Sequence, residues 1–221
     1  MVEAITPVLP EIKLALWQTF YMVFTTVIVG VLLGTPVGTL LYLTRSGSLV
    51  KAPIFNTILN AFVNLIRSFP FLILTIAIIP LTRLIVGTSI GTTAAIVPMI
   101  ISCIPYFARF VESTLLEVNR GVIEAAESMG ANRFQVIWKV LYSEARAGLV
   151  NSITIITVSY FSYSTIVGMV GGGGIGDFAI RYGFYRYETE IMIFTILIIV
   201  VLVQIVQFTG NFFVRKLDKR L

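Results

Sequence analysis

The sequence lacks histidine, contains a single cysteine and is poor in charged residues. Without histidine, no imidazole is available for a metal site or a proton relay. Because Cys103 is the only cysteine, no disulfide forms within one chain. Charged residues make up 12% of the 221 residues, whereas a soluble domain is roughly a quarter charged. The composition therefore excludes an ordinary soluble domain and indicates an integral membrane protein.

Long uncharged windows fill most of the chain. Hydrophobic residues account for 57% of the sequence, and the mean hydropathy is +0.94. Since a bilayer-spanning helix needs roughly 20 mostly apolar residues, we predict an all-α integral membrane protein that forms one transmembrane domain over 1–221. The second predicted span is interrupted by Arg67 and Pro70. The five predicted spans are 17–43, 55–82, 84–108, 148–170 and 191–214.

The distribution of basic residues predicts the orientation, because lysine and arginine accumulate in the cytoplasmic segments next to spans. With the N-terminus outside, eleven of the 16 basic residues lie in cytoplasmic segments, four lie outside and Arg67 lies in the second span. We therefore predict an outside N-terminus and a cytoplasmic C-terminus, and we interpret the net charge of +5 as topology rather than nucleic-acid binding. No signal peptide is expected, since Glu3, Glu11 and Lys13 precede the first span without a basic n-region.

The largest cytoplasmic loop in this topology, residues 113–146, carries charge and has the pattern of two short helices. Apolar residues recur at helical spacing over 113–129. Gly130 follows them. Helices often end with a residue in the left-handed conformation, and glycine adopts this conformation with little strain. Asn132 then begins a second helix, and Gln135 completes a capping-box pair. The loop is therefore predicted to be a helical hairpin, which either binds another protein or packs on its own membrane domain.

The motif Glu124-Ala125-Ala126, followed after three residues by Gly130-Ala131, resembles the EAA loop of bacterial ABC-importer permeases. Five further stretches resemble the methionine-importer permeases in particular: GTPVGTLLYLTR, IRSFPFLIL, VGTSIGTTAAIVP, GVIEAAESMGA and GGGGIG. One departure is visible, since the family's Leu-Pro near the end of the loop is Tyr142-Ser143 here. The departure concerns the expected bend into the fourth span and not the expected docking site.

The resemblance implies that the hairpin contains a coupling helix, which docks into a cleft on a cytoplasmic ATPase subunit. Small alanine side chains in the motif would let the other surface approach closely. The chain itself has no G-x-x-x-x-G-K-[ST] phosphate loop, so ATP must bind elsewhere. The residues that the resemblance assigns to ATPase coupling are Glu124, Ala125, Ala126, Met129, Gly130 and Ala131.

The protein implied by this resemblance is a permease subunit and not an enzyme. It would import methionine, including D-methionine and related derivatives, by alternating access, as a multi-pass protein of the bacterial cytoplasmic (inner) membrane. Its implied partners are a second copy of itself, two ATP-binding cassette subunits, an extracytoplasmic methionine-binding protein and membrane lipid, with no nucleic acid. No cofactor, metal site or catalytic residue is expected on this chain, and ATP and Mg would bind the partner ATPase.

The middle of the fourth predicted span is rich in hydroxyl groups, which are costly in a bilayer unless they are bonded. Two interpretations stay open, because serines often mark close helix packing and hydroxyls also suit a substrate path. The resemblance places the family's gate on this span. Because hydroxyls precede Ile166 and glycines follow it, we expect Ile166 to be an apolar constriction. The candidate path and gate residues are Ser159, Ser162, Tyr163, Ser164, Ile166 and Met169.

Glycines at 171, 173 and 176 formally satisfy the G-x-G-x-x-G pattern, but a dinucleotide site requires a strand before them. We predict a tight extracytoplasmic turn instead, followed by a charged outer loop over 177–190 that is either solvated or in contact with a binding protein. For Arg67, a structural role is favoured over a transport role, because it either satisfies backbone carbonyls that Pro70 frees nearby or lies near an interface.

Two polar patterns accompany the second and third spans. Asn56, Asn60 and Asn64 recur every fourth residue, and this stripe is predicted to face protein or water rather than lipid. Arg109 and Glu112 lie three residues apart and are predicted to pair on one helix face without a transport role.

An ion-coupled secondary carrier is the rival class. Such a carrier usually has acidic or histidine residues within its spans, and the predicted spans contain none. Five spans also do not divide into two inverted halves. An ABC permease for another small amino acid remains an open alternative to methionine.

Overall fold

A computed structural model of the protein describes residues 6–45, 50 and 52–218. Within this part of the chain every regular element is helical and no strand is present, so the predicted all-α class is confirmed. Three basic residues that contribute to the predicted topology, Lys51, Lys219 and Arg220, lie outside the described residues, as does Glu3.

The described residues form ten α-helices, and a short 3-10 turn at Thr6–Val8 leads into the first. Their bounds are α1 Leu9–Thr44, α2 Pro53–Ser68, α3 Phe71–Ala77, α4 Ile79–Val86, α5 Thr92–Leu116, α6 Arg120–Ser128, α7 Arg133–Gln135, α8 Tyr142–Val167, α9 Gly174–Phe178 and α10 Thr189–Leu217. Three π-helical segments continue α7, α8 and α9, namely Val136–Leu141, Gly168–Gly172 and Ala179–Tyr185.

Four helical stretches of the described residues are long and apolar enough to cross a membrane: Thr6–Thr44, Thr92–Leu116, Arg133–Gly172 and Thr189–Leu217. Together α2 and α3 also meet the requirement, but they are bent by 100°. The bend lies at Phe69-Pro70, where the extended backbone of Phe69 is the conformation that a following proline favours. The second predicted span is therefore a broken helix pair, and four or five spans are present in this part of the chain.

The third transmembrane helix, α5, begins at Thr92 and not at the predicted residue 84. Two glycines explain the difference. Gly87 has a φ of 83° and ends α4, and Gly91 has a φ of 101° and precedes α5. Residues 84–91 therefore belong to the end of α4 and to a turn.

A close helix contact joins α1 and α5, where three glycines of α1 recur every fourth residue. A Cβ atom at Gly34 would lie 2.9 Å from the carbonyl oxygen of Ile104, and a Cβ at Gly38 would overlap the carbonyl oxygen of Ala108. At Gly30 a Cβ would overlap Cys103. Small residues of this kind let two membrane helices approach backbone to backbone. The largest buried side chains around this contact are Met22, Met99, Phe107 and Tyr160.

Candidate coupling hairpin and translocation face

The predicted hairpin forms, but its first helix starts later than expected. Rather than running from residue 113, the chain continues α5 to Leu116, and α6 starts at Arg120. The Asn119 side chain accepts a 2.8 Å hydrogen bond from the Gly121 N–H and thereby caps α6. A cap at this position separates the hairpin from the transmembrane helix before it.

The turn of the hairpin has the predicted left-handed glycine, since Gly130 has a φ of 82°. The N–H of Ala131 donates to the carbonyl of Ala126 (3.0 Å), and the N–H of Gly130 donates to the carbonyl of Glu127 (2.9 Å). These two bonds form a Schellman motif, which satisfies carbonyls that the helix end leaves free. The predicted left-handed conformation of Gly130 is confirmed.

The second helix of the hairpin begins with the predicted capping box. The Asn132 side chain accepts from the Gln135 N–H, and the Gln135 side chain accepts from the Asn132 N–H, each at 2.9 Å. The π-helical segment that follows buries Val136 and Leu141 in the main core. The hairpin is therefore anchored on the membrane domain by its second half.

The predicted coupling residues divide between two faces of the hairpin. Met129 is 82% exposed, and Glu124, Ala125 and Gly130 are exposed as well. Ala126 is buried and Ala131 is partly buried, so Ala126 supports the hairpin from inside rather than offering a surface for docking.

Two large apolar residues belong to the exposed surface of the hairpin, and sequence reasoning did not assign them to coupling. Phe134 and Trp138 are 68% and 59% exposed, and their ring centres are 6.0 Å apart. They lie one helical turn apart, Phe134 between the two capping-box residues and Trp138 after them. In the sequence, their four-residue spacing among charged neighbours could have identified them.

The departure at Tyr142-Ser143 does not interrupt the helix, because Arg133–Gly172 is one continuous helical stretch. Tyr142 packs against Trp138 with ring centres 5.1 Å apart. Its hydroxyl lies 2.6 Å from Oγ1 of Thr39 on α1. Tyr142 therefore connects the hairpin to the first transmembrane helix.

Four of the predicted path residues lie along one face of α8 and its extension, at helical spacing: Ser159, Ser162, Ile166 and Met169. Ser162 and Met169 are exposed, and Ser159 and Ile166 are partly buried. We call these four residues the translocation face. Ser159 meets its own hydrogen-bonding need by donating to the Ile155 carbonyl at 2.9 Å.

The other hydroxyls of this span point into the protein. Ser164 is fully buried and donates to the Phe161 carbonyl at 2.7 Å, which supports the packing interpretation for this residue. The hydroxyl of Tyr160, also buried, lies 2.7 Å from that of Ser102. Tyr163 lies in sequence between exposed Ser162 and buried Ser164 and is partly buried. Its ring stacks on that of Phe71, with ring centres 4.6 Å apart.

The glycine-rich stretch forms a turn, and no strand precedes it within the described residues, so it is not a dinucleotide fingerprint. Gly171, Gly173 and Gly174 all have positive φ. The N–H of Gly174 donates to Oε1 of Gln18, and that of Ile175 donates to Oγ1 of Thr19, each at 2.8 Å. Side chains of α1 therefore cap α9, a role that sequence reasoning missed.

The segment after the turn is bonded to the start of α1. The Arg181 guanidinium lies 2.9 Å from Asp177 and 3.5 Å from Glu11. The Tyr182 hydroxyl donates to Oε1 of Glu11 at 2.9 Å, and this bond is the main cause that raises the pKa of Tyr182. Arg186 lies 4.3 Å above the Tyr182 ring. These contacts join the segment to the start of α1, and its solvation or contact with a binding protein stays a prediction.

The predicted asparagine stripe of α2 faces protein, as expected. Asn56 donates to the Leu41 carbonyl at 2.9 Å. Arg109 donates to Asn60 (2.6 Å) and Asn64 (2.9 Å). The predicted pair of Arg109 with Glu112 is also present. The asparagine bonds fix α2 against α1 and α5 in the part of the chain before the bend.

Residues 30–221 match the family model described as "Binding-protein-dependent transport system inner membrane component". The match covers more than half of the chain. The chain belongs to this family. It is therefore an inner-membrane permease component of a bacterial ABC transport system and not an enzyme.

Curated relatives include proteins named "Probable D-methionine transport system permease protein MetI". The protein from Vibrio cholerae is 53% identical over 206 residues, which cover 93% of this chain and 92% of the relative. The protein from Pasteurella multocida is 41% identical over 209 residues, which cover 95% of this chain and 96% of the relative.

Among solved structures, a chain of the inward-facing MetNI methionine ABC transporter superposes with a TM-score of 0.94 at 41% identity. The superposition covers 96% of this chain and 99% of that one. A chain of an amino acid ABC transporter with histidines superposes with a TM-score of 0.74 at 19% identity, which shows a shared fold alone.

Proposed function

We propose that the chain is the permease subunit of an ATP-driven importer of methionine, including D-methionine and related derivatives. The observation that carries the proposal is the superposition on a MetNI chain over almost the full length of both chains. Relatives named for D-methionine transport, at 53% and 41% identity, support the same substrate.

The importer would contain two copies of this chain, two ATPase subunits that bind ATP and Mg, and an extracytoplasmic methionine-binding protein. Four or five spans enclose too little volume for an alternating-access path in one copy. Each chain also offers one hairpin, whereas a pair of ATPases presents two clefts. A two-fold homodimer is the simplest closed arrangement that meets both conditions.

Coupling would run through the hairpin, with the N-terminus outside and the C-terminus in the cytoplasm. The exposed side chains of Glu124, Ala125 and Met129 offer a surface for docking. The Schellman turn and the capping box hold this surface in one shape. A rigid hairpin transmits a domain movement of the ATPase to α8, which a floppy loop would absorb.

Substrate would pass along the translocation face of α8, near the two-fold axis. Ile166 would form an apolar constriction with its counterpart on the second copy, because small apolar constrictions exclude water. Ser159 and Ser162 precede it, and Met169 follows it on the same face. Ser164 would stabilise the helix packing behind this face.

Uptake of radiolabelled methionine tests the proposal. Proteoliposomes would contain the complete complex with its binding protein, and ATP would be supplied to the ATPase side. We expect uptake that requires ATP and that unlabelled D-methionine reduces. Preferential reduction by another amino acid would contradict the substrate, and uptake driven by an ion gradient without ATP would contradict the mechanism.

A further inference from the structure

Arg67 lies in the last turn of α2, just before the bend. Residues 56, 60, 64 and 67 recur at helical spacing, so Arg67 continues the polar face that the three asparagines begin. Asn60 and Asn64 on this face are both bonded to Arg109. Arg67, at the end of this face nearest the bend, has different neighbours.

The guanidinium of Arg67 lies beside an aromatic ring of α5. It sits 5.1 Å from the centre of the Tyr106 ring. Tyr106 lies 14 residues after the start of α5 at Thr92 and 10 before its end at Leu116, which correspond to about 21 Å and 15 Å of helix. Because α2 and α3 together are long and apolar enough to form one span, Arg67 lies within a candidate membrane segment, where an arginine marks a functional site by default.

Arg109 and Arg67 differ in how their charge is compensated. Arg109 has the Glu112 carboxylate and two asparagine oxygens as partners, although its Nε atom is buried without one. Arg67 also has a buried, unbonded Nε, but no carboxylate pairs with it within residues 6–45, 50 and 52–218.

One form of the predicted structural role, in which Arg67 hydrogen bonds to carbonyls freed by Pro70, is not seen within the described residues. In this part of the chain no carbonyl near Pro70 accepts a hydrogen bond from its guanidinium. The bond present here runs the other way, since the Tyr106 hydroxyl donates to the Arg67 carbonyl at 3.4 Å. The Tyr106 ring supplies a cation–π contact, which leaves the charge without an anion.

The surroundings of Arg67 are aromatic and reach the translocation face. Tyr106 is a neighbour of Tyr163 on α8. The Tyr163 ring in turn stacks on Phe71, the first residue of α3 after the bend. Tyr163 directly follows Ser162 of the translocation face. A cation and three aromatic rings thus converge from α2, α3, α5 and α8.

We propose that Arg67 is a substrate-binding residue, whose guanidinium receives the carboxylate of the amino acid in transit while Tyr106, Tyr163 and Phe71 contact its side chain. This inference rests on the proposed function in amino-acid import. Arginine binds a carboxylate through two parallel N–H bonds, and a thioether sulfur makes favourable contacts with aromatic rings. The site therefore suits a free carboxylate that carries an apolar or thioether side chain.

Two measurements on the reconstituted complex test this role: uptake of radiolabelled L-methionine and ATP hydrolysis, both with the binding protein present. We expect Arg67→Gln to lower the methionine transported per ATP at least tenfold, while ATP hydrolysis stays within twofold of wild type. Arg67→Lys keeps the charge but loses the planar fork, so a drop of roughly threefold is expected. Arg83→Gln is the matched control, because Arg83 is exposed and bonds Ser89.

A ligand change separates carboxylate binding from a structural role. The full chain in nanodiscs would be titrated with methionine and with methioninol, in which an alcohol replaces the carboxylate. We expect wild type to prefer methionine at least tenfold and Arg67→Gln to lose this preference. An equal preference in both proteins, or no preference in wild type, overturns the inference.

The remaining outcomes also decide the question. If Arg67→Gln fails to assemble, normal methionine transport per ATP in Arg67→Lys shows a purely structural arginine and overturns the inference. If wild type transports methionine and Arg67→Gln transports as much per ATP, the inference about Arg67 fails and the proposed function stands. If wild type itself does not transport methionine, the proposed function fails.

Discussion

The hairpin and the interior between α1, α5 and α8 are stabilised in opposite ways. The hairpin rests on hydrogen bonds between residues two to five positions apart, and most of the side chains assigned to coupling are exposed. The interior rests on contacts between residues far apart in sequence, such as Gly38 with Ala108 and Ser102 with Tyr160. Substitutions in the interior should therefore impair assembly, and substitutions in the hairpin should impair coupling in an assembled protein.

Gly38→Val tests the interior most severely. A side chain there would overlap the Ala108 carbonyl and lie 2.7 Å from Cβ of Val111, so α1 and α5 would have to separate. Overpacking a core costs typically 1–3 kcal/mol or more, and a backbone obstacle cannot move aside. We expect little folded complex by size-exclusion chromatography and a lower Tm. Leu33→Val, at an exposed position of the same helix, should match wild type; a normal yield of Gly38→Val would contradict the close contact.

Gly130→Val tests the hairpin without a clash, because no atom lies within 4 Å of the added Cβ. The positive φ strains a β-branched residue by roughly 1–3 kcal/mol. We expect normal membrane insertion but a fall of about tenfold in both uptake and stimulated ATP hydrolysis. Gly130→Asn is the control, since asparagine tolerates the left-handed conformation. Equal activity of the two variants would show that the turn geometry does not matter for coupling.

Glu124→Lys reverses an exposed charge on the hairpin. An exposed ion pair contributes up to about 1 kcal/mol, so we expect transport and ATP hydrolysis to fall together by no more than roughly fivefold. The defect should change with ionic strength, because salt screens surface charges. Glu117→Lys, just before the hairpin, is the control. Full coupled activity of Glu124→Lys would remove Glu124 from the docking surface.

Two serines on opposite faces of α8 give the smallest expected effects. Ser164→Ala removes a buried hydrogen bond donor to the Phe161 carbonyl, which should lower the free energy of unfolding by about 1 kcal/mol. Ser162→Ala changes an exposed position and should leave Tm unchanged, while the rate of methionine uptake changes. The reverse pattern in thermal unfolding and uptake would place the translocation face elsewhere on α8.

The same contrast explains what the sequence predicts well. Gly130, Asn132 and Gln135 are confirmed in their conformations, because a helix cap depends on residues within one turn. The cap at Asn119 could have been predicted in the same way, because asparagine is a common N-cap residue and directly precedes α6. The bend at Pro70 agrees with the interruption predicted there, whereas the helix end at Gly87 differs from the predicted spans, although glycine is a known helix breaker.

Contacts between distant residues were less accessible from the sequence. The spacing of Gly30, Gly34 and Gly38 indicates close packing, but nothing local identifies α5 as the neighbour. Likewise, the pattern of hydroxyls in α8 does not distinguish exposed Ser162 from buried Ser164, because the neighbouring helices decide which face is covered. Coupling and path roles for these residues stay predictions.

Crosslinking at Ile166 tests most directly whether α8 of two copies lines a path that the ATPase drives. Ile166→Cys would be introduced in a Cys103→Ser background, which removes the one native cysteine. In the assembled complex we expect a disulfide between the two copies without nucleotide, when the constriction is closed, and loss of the crosslink when ATP hydrolysis is trapped. Absence of a crosslink in every nucleotide state would contradict a gate at the two-fold axis.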